Sequence, residues 1–214
     1  MLPGPARYSK QMLRPLTNLL YRRHDPTRDW HPDVTRLIAD VRRCTLCDVP
    51  VGGALAGLAP LGPSENARAA AKGYPEWPSK GVYCVVEQDR IADLTIILRP
   101  SRAFAAFPGR FLNDGSPIEL TNALRPEALI AQLGEPFGTS DNDWDDATVL
   151  FYEFDTGEAQ FGFGNDTGTL DSIEFWYEPE LAQAGACDTY GINKAFPDAL
   201  KRKLAPPGES RALP

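Results

Sequence analysis

Four short segments of this 214-residue chain contain residue types that could perform chemistry. The first is Cys44-Thr-Leu-Cys47, whose spacing is that of half a zinc site or of a redox pair. Cys84 and Cys187 each stand far from any second cysteine, and a structural zinc needs four ligands. We therefore expect these cysteines to be thiols with a structural role, and we predict no metal and no cofactor.

Two Asp-Thr-Gly triplets, Asp155-Thr156-Gly157 and Asp166-Thr167-Gly168, invite comparison with the paired aspartates of an acid protease. Such a site needs two carboxylates that share a proton where two lobes meet. Here the triplets lie close together, at points where the flanking apolar segments must reverse direction. Because Asp and Gly favour tight turns, we interpret both triplets as hairpin turns.

The third segment is acidic and runs from Asp141 to Asp146. It begins like a calcium loop, but Asp146 stands where such a loop requires Gly, and Tyr152 where it requires a bidentate Glu. We therefore predict an acidic lip that docks a basic partner, with Trp144 as an aromatic anchor. The predicted partner-binding residues are Asp141, Asp143, Trp144, Asp145, Asp146, Glu153, Glu174 and Trp176.

The last predicted strand leaves the role of its aromatic residues open. Ile173, Phe175 and Tyr177 alternate with Glu174 and Trp176. Successive side chains of a strand point to opposite faces, so one set faces the core and the other faces outwards. Trp176 and Tyr177 could each belong to the core or to a binding face.

The fourth segment contains the two histidines of the chain, His24 and His31, which are candidates for general acid or base catalysis. No nucleophile elbow, phosphate-binding glycine loop or His-Glu-x-x-His motif accompanies them. We therefore expect a binding protein and not an enzyme. The alternative is a small hydrolase or metal-dependent enzyme that uses His24, His31 or the acidic cluster.

Hydrophobic spacing indicates the elements that would position these residues. Apolar residues recur at helical spacing over residues 11–23 and 34–41, which predicts two N-terminal helices. A hairpin is predicted from residues 81–86 and 94–98, and a three-stranded meander from residues 148–154, 159–163 and 170–177.

The chain also contains an internal repeat. Residues 55–63 and 126–136 are both apolar, helix-like segments, and they end in Leu61-Gly62-Pro63 and Leu133-Gly134-Glu135-Pro136. Glycine favours the left-handed conformation that ends a helix, and proline prevents its continuation. Each copy then continues into antiparallel strands, and Phe104, Phe107 and Phe111 lie between the copies, where we predict that they are buried.

The order of helix, Leu-Gly-x-Pro segment and antiparallel meander resembles the module of β-lactamase inhibitor proteins, which carry it in tandem, and of small outer-membrane assembly lipoproteins. The whole layout over residues 50–178 is similar to that of bacterial immunity proteins encoded beside secreted toxins. The resemblance implies a protein that neutralises a toxin by binding it. It implies no catalytic residues, because these families bind through variable surfaces.

Charge is distributed unevenly along the chain, whose formal net charge is −7. Residues 112–190 contain seventeen Asp and Glu but one base, Arg125. Such a surface repels nucleic acid and attracts a basic protein. No segment is a predicted signal peptide or membrane span, so we expect a cytoplasmic protein and a basic toxin, the product of a neighbouring gene, as its partner.

These observations predict an α+β protein with N-terminal helices followed by two related helix-plus-antiparallel-sheet modules that share one core. We expect a helical region at residues 1–50, a first module with its aromatic connector at 51–111, and an acidic second module at 112–190. Residues 191–214 are rich in Lys, Pro and Gly and are expected to form a partly mobile tail.

Overall fold

The protein was analysed as a computed structural model that describes residues 21–142 and 147–177. This part of the chain is mixed in class but predominantly β, since short helices accompany two sheets. The strands, in chain order, are β1 (Ile38–Asp40), β2 (Thr45–Leu46), β3 (Val49–Pro50), β4 (Glu76–Trp77), β5 (Val82–Glu87), β6 (Arg90–Ile97), β7 (Arg110–Asn113), β8 (Ser116–Ile118), β9 (Gly138–Asn142), β10 (Ala147–Phe154), β11 (Gly157–Gly164) and β12 (Thr169–Trp176).

The larger sheet has seven strands in the order β4-β5-β6-β12-β11-β10-β9, and each neighbouring pair is antiparallel. The pairing of β6 with β12 joins the predicted hairpin to the predicted meander. The hairpin and the three meander strands lie where their alternating patterns predicted them. Both Asp-Thr-Gly triplets fall at turns, which confirms their interpretation; Gly168 has a positive φ of 63°, whereas Asp155 and Thr156 turn without one.

One face of this sheet is apolar and packs into the core. Leu94, Phe175, Ala159 and Tyr152 are consecutive cross-strand partners in β6, β12, β11 and β10, and all four are buried. Ile173 and Phe175 therefore face the core, whereas Glu174 and Trp176 point to the opposite face of the same strand.

The smaller sheet has five strands in the order β3-β2-β1-β7-β8, with β1 parallel to β7. The carboxylate of Asp40, at the end of β1, is buried and accepts hydrogen bonds from the backbone N–H groups of Asp114 (3.0 Å) and Gly115 (2.7 Å). These bonds attach the β1–β2 turn to the β7–β8 turn. They hold Arg43 and Asp114, which form an ion pair of 2.9 Å, at one end of the sheet.

Phe107 links the two sheets. Its backbone N–H donates to the carbonyl of Ile97 in β6, and its ring lies 5.4 Å from that of Phe111 in β7. Both rings are buried, as predicted, while Phe104 is half-buried against Tyr83. Buried apolar side chains of both sheets form one cluster in the part of the chain described.

The α-helices of the described residues are α1 (Ala67–Ala70) and α2 (Pro126–Leu133), and 3-10 helices span Arg22–His24, Val34–Arg36, Leu55–Leu61 and Pro78–Lys80. The segments Leu55–Leu61 and α2 are the two predicted helix-like segments. They end at Gly62 (φ 75°, ψ −172°) and Gly134 (φ 87°, ψ −176°), which have nearly the same backbone conformation. Among the described residues, no helix has the length and apolar character to cross a membrane.

The prediction of a helix at residues 34–41 was wrong. The segment forms one 3-10 turn at Val34–Arg36 and then strand β1, whose parallel pairing with β7 overrides the helical spacing. Val34, the first residue of the apolar stripe, is 69% exposed. The helix predicted over residues 11–23 lies outside the described residues except at residues 21–23. The predicted C-terminal tail, residues 191–214, lies wholly outside them.

Candidate functional site

A row of polar residues crosses the face of the larger sheet opposite the core. Asp93 in β6 stands directly opposite Trp176 in β12, Trp176 opposite Glu158 in β11, and Glu158 opposite Glu153 in β10. Directly opposed side chains of antiparallel strands lie on the same face, about 5 Å apart at Cβ. We call these four residues the carboxylate row.

The middle of the carboxylate row is the most deeply buried part. Glu158 is fully buried, and its Oε1 accepts a 2.5 Å hydrogen bond from Nε2 of Gln160, which is two residues further along β11 on the same face. Gln160 stands opposite Glu174. Burying a charge costs free energy unless hydrogen bonds or opposite charges compensate it.

At one end, the row opens into a cavity of about 370 Å³, which we call the Asp93 cavity. The residues that line it are Val85, Glu87, Gln88, Arg90, Ile91, Ala92, Asp93, Trp176 and Tyr177. Burial raises the pKa of Asp93 to about 6. The Arg90 guanidinium donates a 2.7 Å hydrogen bond to the carbonyl of Gly52, and the Tyr177 ring lies so close over Gly52 that a Cβ there would meet it.

At the other end, Glu153 lines a larger groove of about 610 Å³ between the two sheets, which we call the acidic groove. Its lining residues are Arg42, Arg43, Asp114, Leu133, Glu135, Phe137, Tyr152, Glu153, Phe154, Asp155 and Thr156. The Tyr152 and Phe154 rings are stacked 6.2 Å apart, and the Tyr152 hydroxyl donates to the carbonyl of Gly134 at 2.9 Å. Burial, with a smaller contribution from Glu135, raises the pKa of Tyr152 to about 12, so this phenol stays neutral.

The wall of the acidic groove already holds one cation. The guanidinium of Arg42, from the β1–β2 turn, lies 5.4 Å from the centroid of the Phe154 ring, a cation–π distance. The Thr156 hydroxyl donates to the backbone carbonyl of Arg42 at 3.3 Å. The aromatic surface of the groove therefore suits a guanidinium or an ammonium group.

The predicted partner-binding residues are distributed over two places. Glu153, Glu174 and Trp176 share the polar face, close to the carboxylate row. Asp141 stands opposite Thr148, near the start of β10, about 17 Å along the strand from Glu153 at the usual rise per residue. Asp143, Trp144, Asp145 and Asp146 lie outside the described residues, and the sequence did not single out Asp93, Glu158 or the groove aromatics.

The histidines and cysteines that were candidates for acid–base, redox or metal chemistry lie outside both the Asp93 cavity and the acidic groove. His24 and His31 are exposed, and neither lines the Asp93 cavity or the acidic groove. Cys44 and Cys47 are buried around the β1–β2 turn, and burial raises the pKa of Cys47 to about 11, which disfavours the thiolate needed for redox or metal chemistry. No group of three His, Cys, Asp or Glu within residues 21–142 and 147–177 is placed to hold a metal ion.

No protein-family model matches the chain, and no curated protein matches it. Two solved structures resemble it at low sequence identity. One is YjgB, a DUF4309 family protein from Bacillus subtilis, which is 15% identical with a TM-score of 0.45 over 77% of this chain and 97% of YjgB. The other is an extracellular protein containing an SCP domain from Bacillus anthracis, which is 12% identical with a TM-score of 0.34 over 60% of this chain and 44% of that protein.

Proposed function

We propose that this protein is a non-catalytic inhibitor of the immunity-protein type, which binds a basic protein toxin through the acidic groove and through the acidic lip predicted at residues 141–146. The observation that carries the proposal is the combination, in one groove, of stacked aromatic rings with the exposed carboxylates of Glu135 and Asp155. Long basic side chains on a partner's surface fit this combination, because their methylenes pack on rings while their charges meet carboxylates.

The charge of the second half of the chain supports the same partner. Arg43 and Arg99 come from the first half and pair with Asp114, Asp166 and Asp171. These ion pairs neutralise only part of the seventeen acids found at residues 112–190. Exposed carboxylates of this region, such as that of Glu135, favour encounter with a basic protein and disfavour nucleic acid.

The architecture is consistent with two related modules that share one core. In this interpretation the first module supplies Leu55–Leu61 and strands β4 to β6, and the second supplies α2 and strands β9 to β12. The last strand of each module pairs with the last strand of the other, as expected for two copies joined about a pseudo-two-fold axis. The matching conformations of Gly62 and Gly134 support the duplication. The partner would be a cytoplasm-acting toxin encoded by a neighbouring gene.

The test is to measure association with the product of the neighbouring toxin gene over a range of salt concentrations, using two charge variants, one aromatic variant and a matched control. The groove variant Glu135→Gln/Asp155→Asn removes two charges from the groove, and the lip variant replaces Asp141, Asp143, Asp145 and Asp146 with Asn. The matched control Glu119→Gln/Glu127→Gln removes two exposed charges that do not line the groove.

We expect the groove variant to associate several-fold more slowly at low salt, with a smaller change in the dissociation rate, because rim charges act mainly on encounter. Phe154→Ala should raise the dissociation rate, because it removes an aromatic contact. In co-expression, the wild type and the control should protect cells, and the groove variant should protect poorly. Equal association rates for the groove variant and the control would refute the groove as the binding site, and absence of binding by the wild type would refute the function.

A further inference from the structure

The Asp93 cavity carries a second inference, which is independent of the toxin-binding proposal. Its volume of about 370 Å³ is at the small end of the range for ligand pockets, and suits a molecule the size of one amino acid. The cavity lies at the β6–β12 junction, on the opposite end of the carboxylate row from the acidic groove.

Within the described residues, two buried polar atoms of the residues that line it have no hydrogen-bond partner. They are Oδ1 of Asp93, an acceptor, and Nε1 of Trp176, a donor. Buried donors and acceptors are normally paired, because leaving one unpaired costs free energy. Both residues line the cavity, and they are directly opposed across β6 and β12.

The surrounding residues define the charge that such a molecule would carry. Glu87 and Asp93 are the acids of the cavity, and Arg90 is its base. These two carboxylates outnumber the single guanidinium, which donates a hydrogen bond to the carbonyl of Gly52, and the excess of negative charge favours a ligand cation. The rings of Trp176 and Tyr177 add aromatic surface, which attracts cations further.

We propose that the Asp93 cavity binds a small protonated amine that also carries a hydroxyl or carbonyl oxygen. The ammonium group donates to the Asp93 carboxylate, and the oxygen accepts from the Trp176 indole N–H. The carbon chain between them packs on the Tyr177 ring. Asp93 and Trp176 thus select a molecule for two groups at a fixed separation.

Three probes of similar length separate the contribution of the ammonium group from that of the oxygen. The probe 5-amino-1-pentanol has an ammonium group and a hydroxyl, pentylamine has only the ammonium group, and 1,5-pentanediol has only hydroxyls. Binding is followed in the full chain by the NMR signals of the backbone amides of Ala92 and Tyr177. The Tyr177 N–H donates a 3.0 Å hydrogen bond to the Ala92 carbonyl beside the cavity. The titrations are run at about pH 7.5, where an alkylamine with a pKa of about 10 is protonated.

The variants are Asp93→Asn, which preserves the shape of the side chain, and Trp176→Phe, which keeps an aromatic ring but removes the indole N–H. The matched control is Asp89→Asn, which removes one exposed charge in the β5–β6 turn outside the cavity. Asn tolerates the positive φ of 62° found at Asp89.

We expect the wild type and Asp89→Asn to prefer the amino alcohol over the diol by about tenfold, the effect of one hydrogen bond to a charged group. Asp93→Asn should lose that preference. The wild type should also show a smaller preference for the amino alcohol over pentylamine, because only the amino alcohol has an oxygen that accepts from the Trp176 indole. Trp176→Phe should lose this smaller preference but keep the preference for the amino alcohol over the diol. The proposal is overturned if the wild type shows no saturable shifts up to about 10 mM amino alcohol, or if Asp93→Asn retains the wild-type order.

Discussion

The carboxylate of Asp40 accepts a 2.7 Å hydrogen bond from the backbone N–H of Gly115, which is 75 residues further along the chain in the β7–β8 turn. A second bond, from the N–H of Asp114, reaches the other oxygen of the same carboxylate. This bridge fixes the two turns from which Arg42, Arg43 and Asp114 reach the acidic groove. The geometry of the groove therefore depends on a residue outside it.

Asp40→Ala should destabilise the protein by about 3 kcal/mol, because it leaves the backbone N–H groups of Arg43, Asp114 and Gly115 without their charged acceptor. Asp29→Ala is the control, since Asp29 is exposed and its ion pair with Arg28 is a surface contact that should contribute less than about 1 kcal/mol. Urea unfolding gives both values. Equal midpoints for the two variants would mean that the bridge contributes nothing.

Phe107→Ala should cost about 3 to 5 kcal/mol, the usual range for emptying a buried aromatic site. Because Phe107 contacts both sheets, the variant should still unfold in one transition at a lower denaturant concentration. Tyr74→Ala, at a residue that is 53% exposed, is the matched aromatic control and should change stability by less than about 1 kcal/mol. Two separate transitions in the wild type would contradict a shared core.

The stability of the protein should depend on the charge of Asp93. Burial raises its pKa from 3.8 to about 6, so the folded protein binds this proton more tightly than the unfolded chain does. The ionised group therefore destabilises the fold at neutral pH, and this cost disappears as the pH falls through 6 towards 4.

Asp93→Asn should consequently be more stable than the wild type at about pH 7.5, by up to about 2 kcal/mol after allowing for partial exposure. The difference should shrink as the pH falls below 6 and close only below about pH 3.8, the ordinary pKa of this group in the unfolded chain. Denaturant midpoints of the two proteins, measured side by side across this range, give the result. A constant difference would show that Asp93 titrates normally.

The sequence predicted those strands that can be recognised from their own residues and from the turns beside them. Strand β10 is rich in β-branched and aromatic residues, β11 and much of β12 alternate apolar with polar or glycine residues, and turn residues separate the three strands. Strand β1 could not be found in this way, because its three residues are held by pairing with β7, and Val34, Leu37 and Val41 imitate a helical stripe. The sequence contains no local signal for that pairing.

The residues of the candidate site were likewise predicted only where they did not depend on which strands pair. Glu153, Glu174 and Trp176 were predicted as binding residues and share one sheet face, because strand alternation is visible in the sequence. Asp93 was missed, since its position beside Trp176 depends on the pairing of β6 with β12. No pattern within either strand specifies which strand becomes its neighbour or in which register.

The buried cysteines should react slowly. In a Cys187→Ser background, which removes the cysteine outside the described residues, native protein should be alkylated by iodoacetamide far more slowly than unfolded protein. The reasons are that Cys44, Cys47 and Cys84 are buried and that burial raises the pKa values of Cys47 and Cys84. Mass spectrometry of the labelled peptides identifies the sites. Rapid native labelling of Cys47 would contradict this and would revive a redox role for Cys44-Thr-Leu-Cys47.

The two glycines that end the repeated segments provide a matched pair. Gly62 (φ 75°, ψ −172°) and Gly134 (φ 87°, ψ −176°) occupy a backbone region that is almost confined to glycine. A Cβ at Gly134 would have no atom within 4 Å, whereas a Cβ at Gly62 would lie 3.1 Å from Cβ of Pro32. Gly134→Ala therefore isolates the backbone strain, and Gly62→Ala adds crowding.

Gly134→Ala should cost about 1 to 3 kcal/mol, and Gly62→Ala should cost about 1 kcal/mol more because Pro32 must shift. Gln132→Ala, an exposed change in the last turn of α2, is the control and should stay within about 0.5 kcal/mol of the wild type. Urea midpoints measure all three. If Gly134→Ala unfolds like the wild type, then α2 does not end in this glycine conformation. The main structural support for a duplicated module would then be lost, because the two segments would no longer end alike.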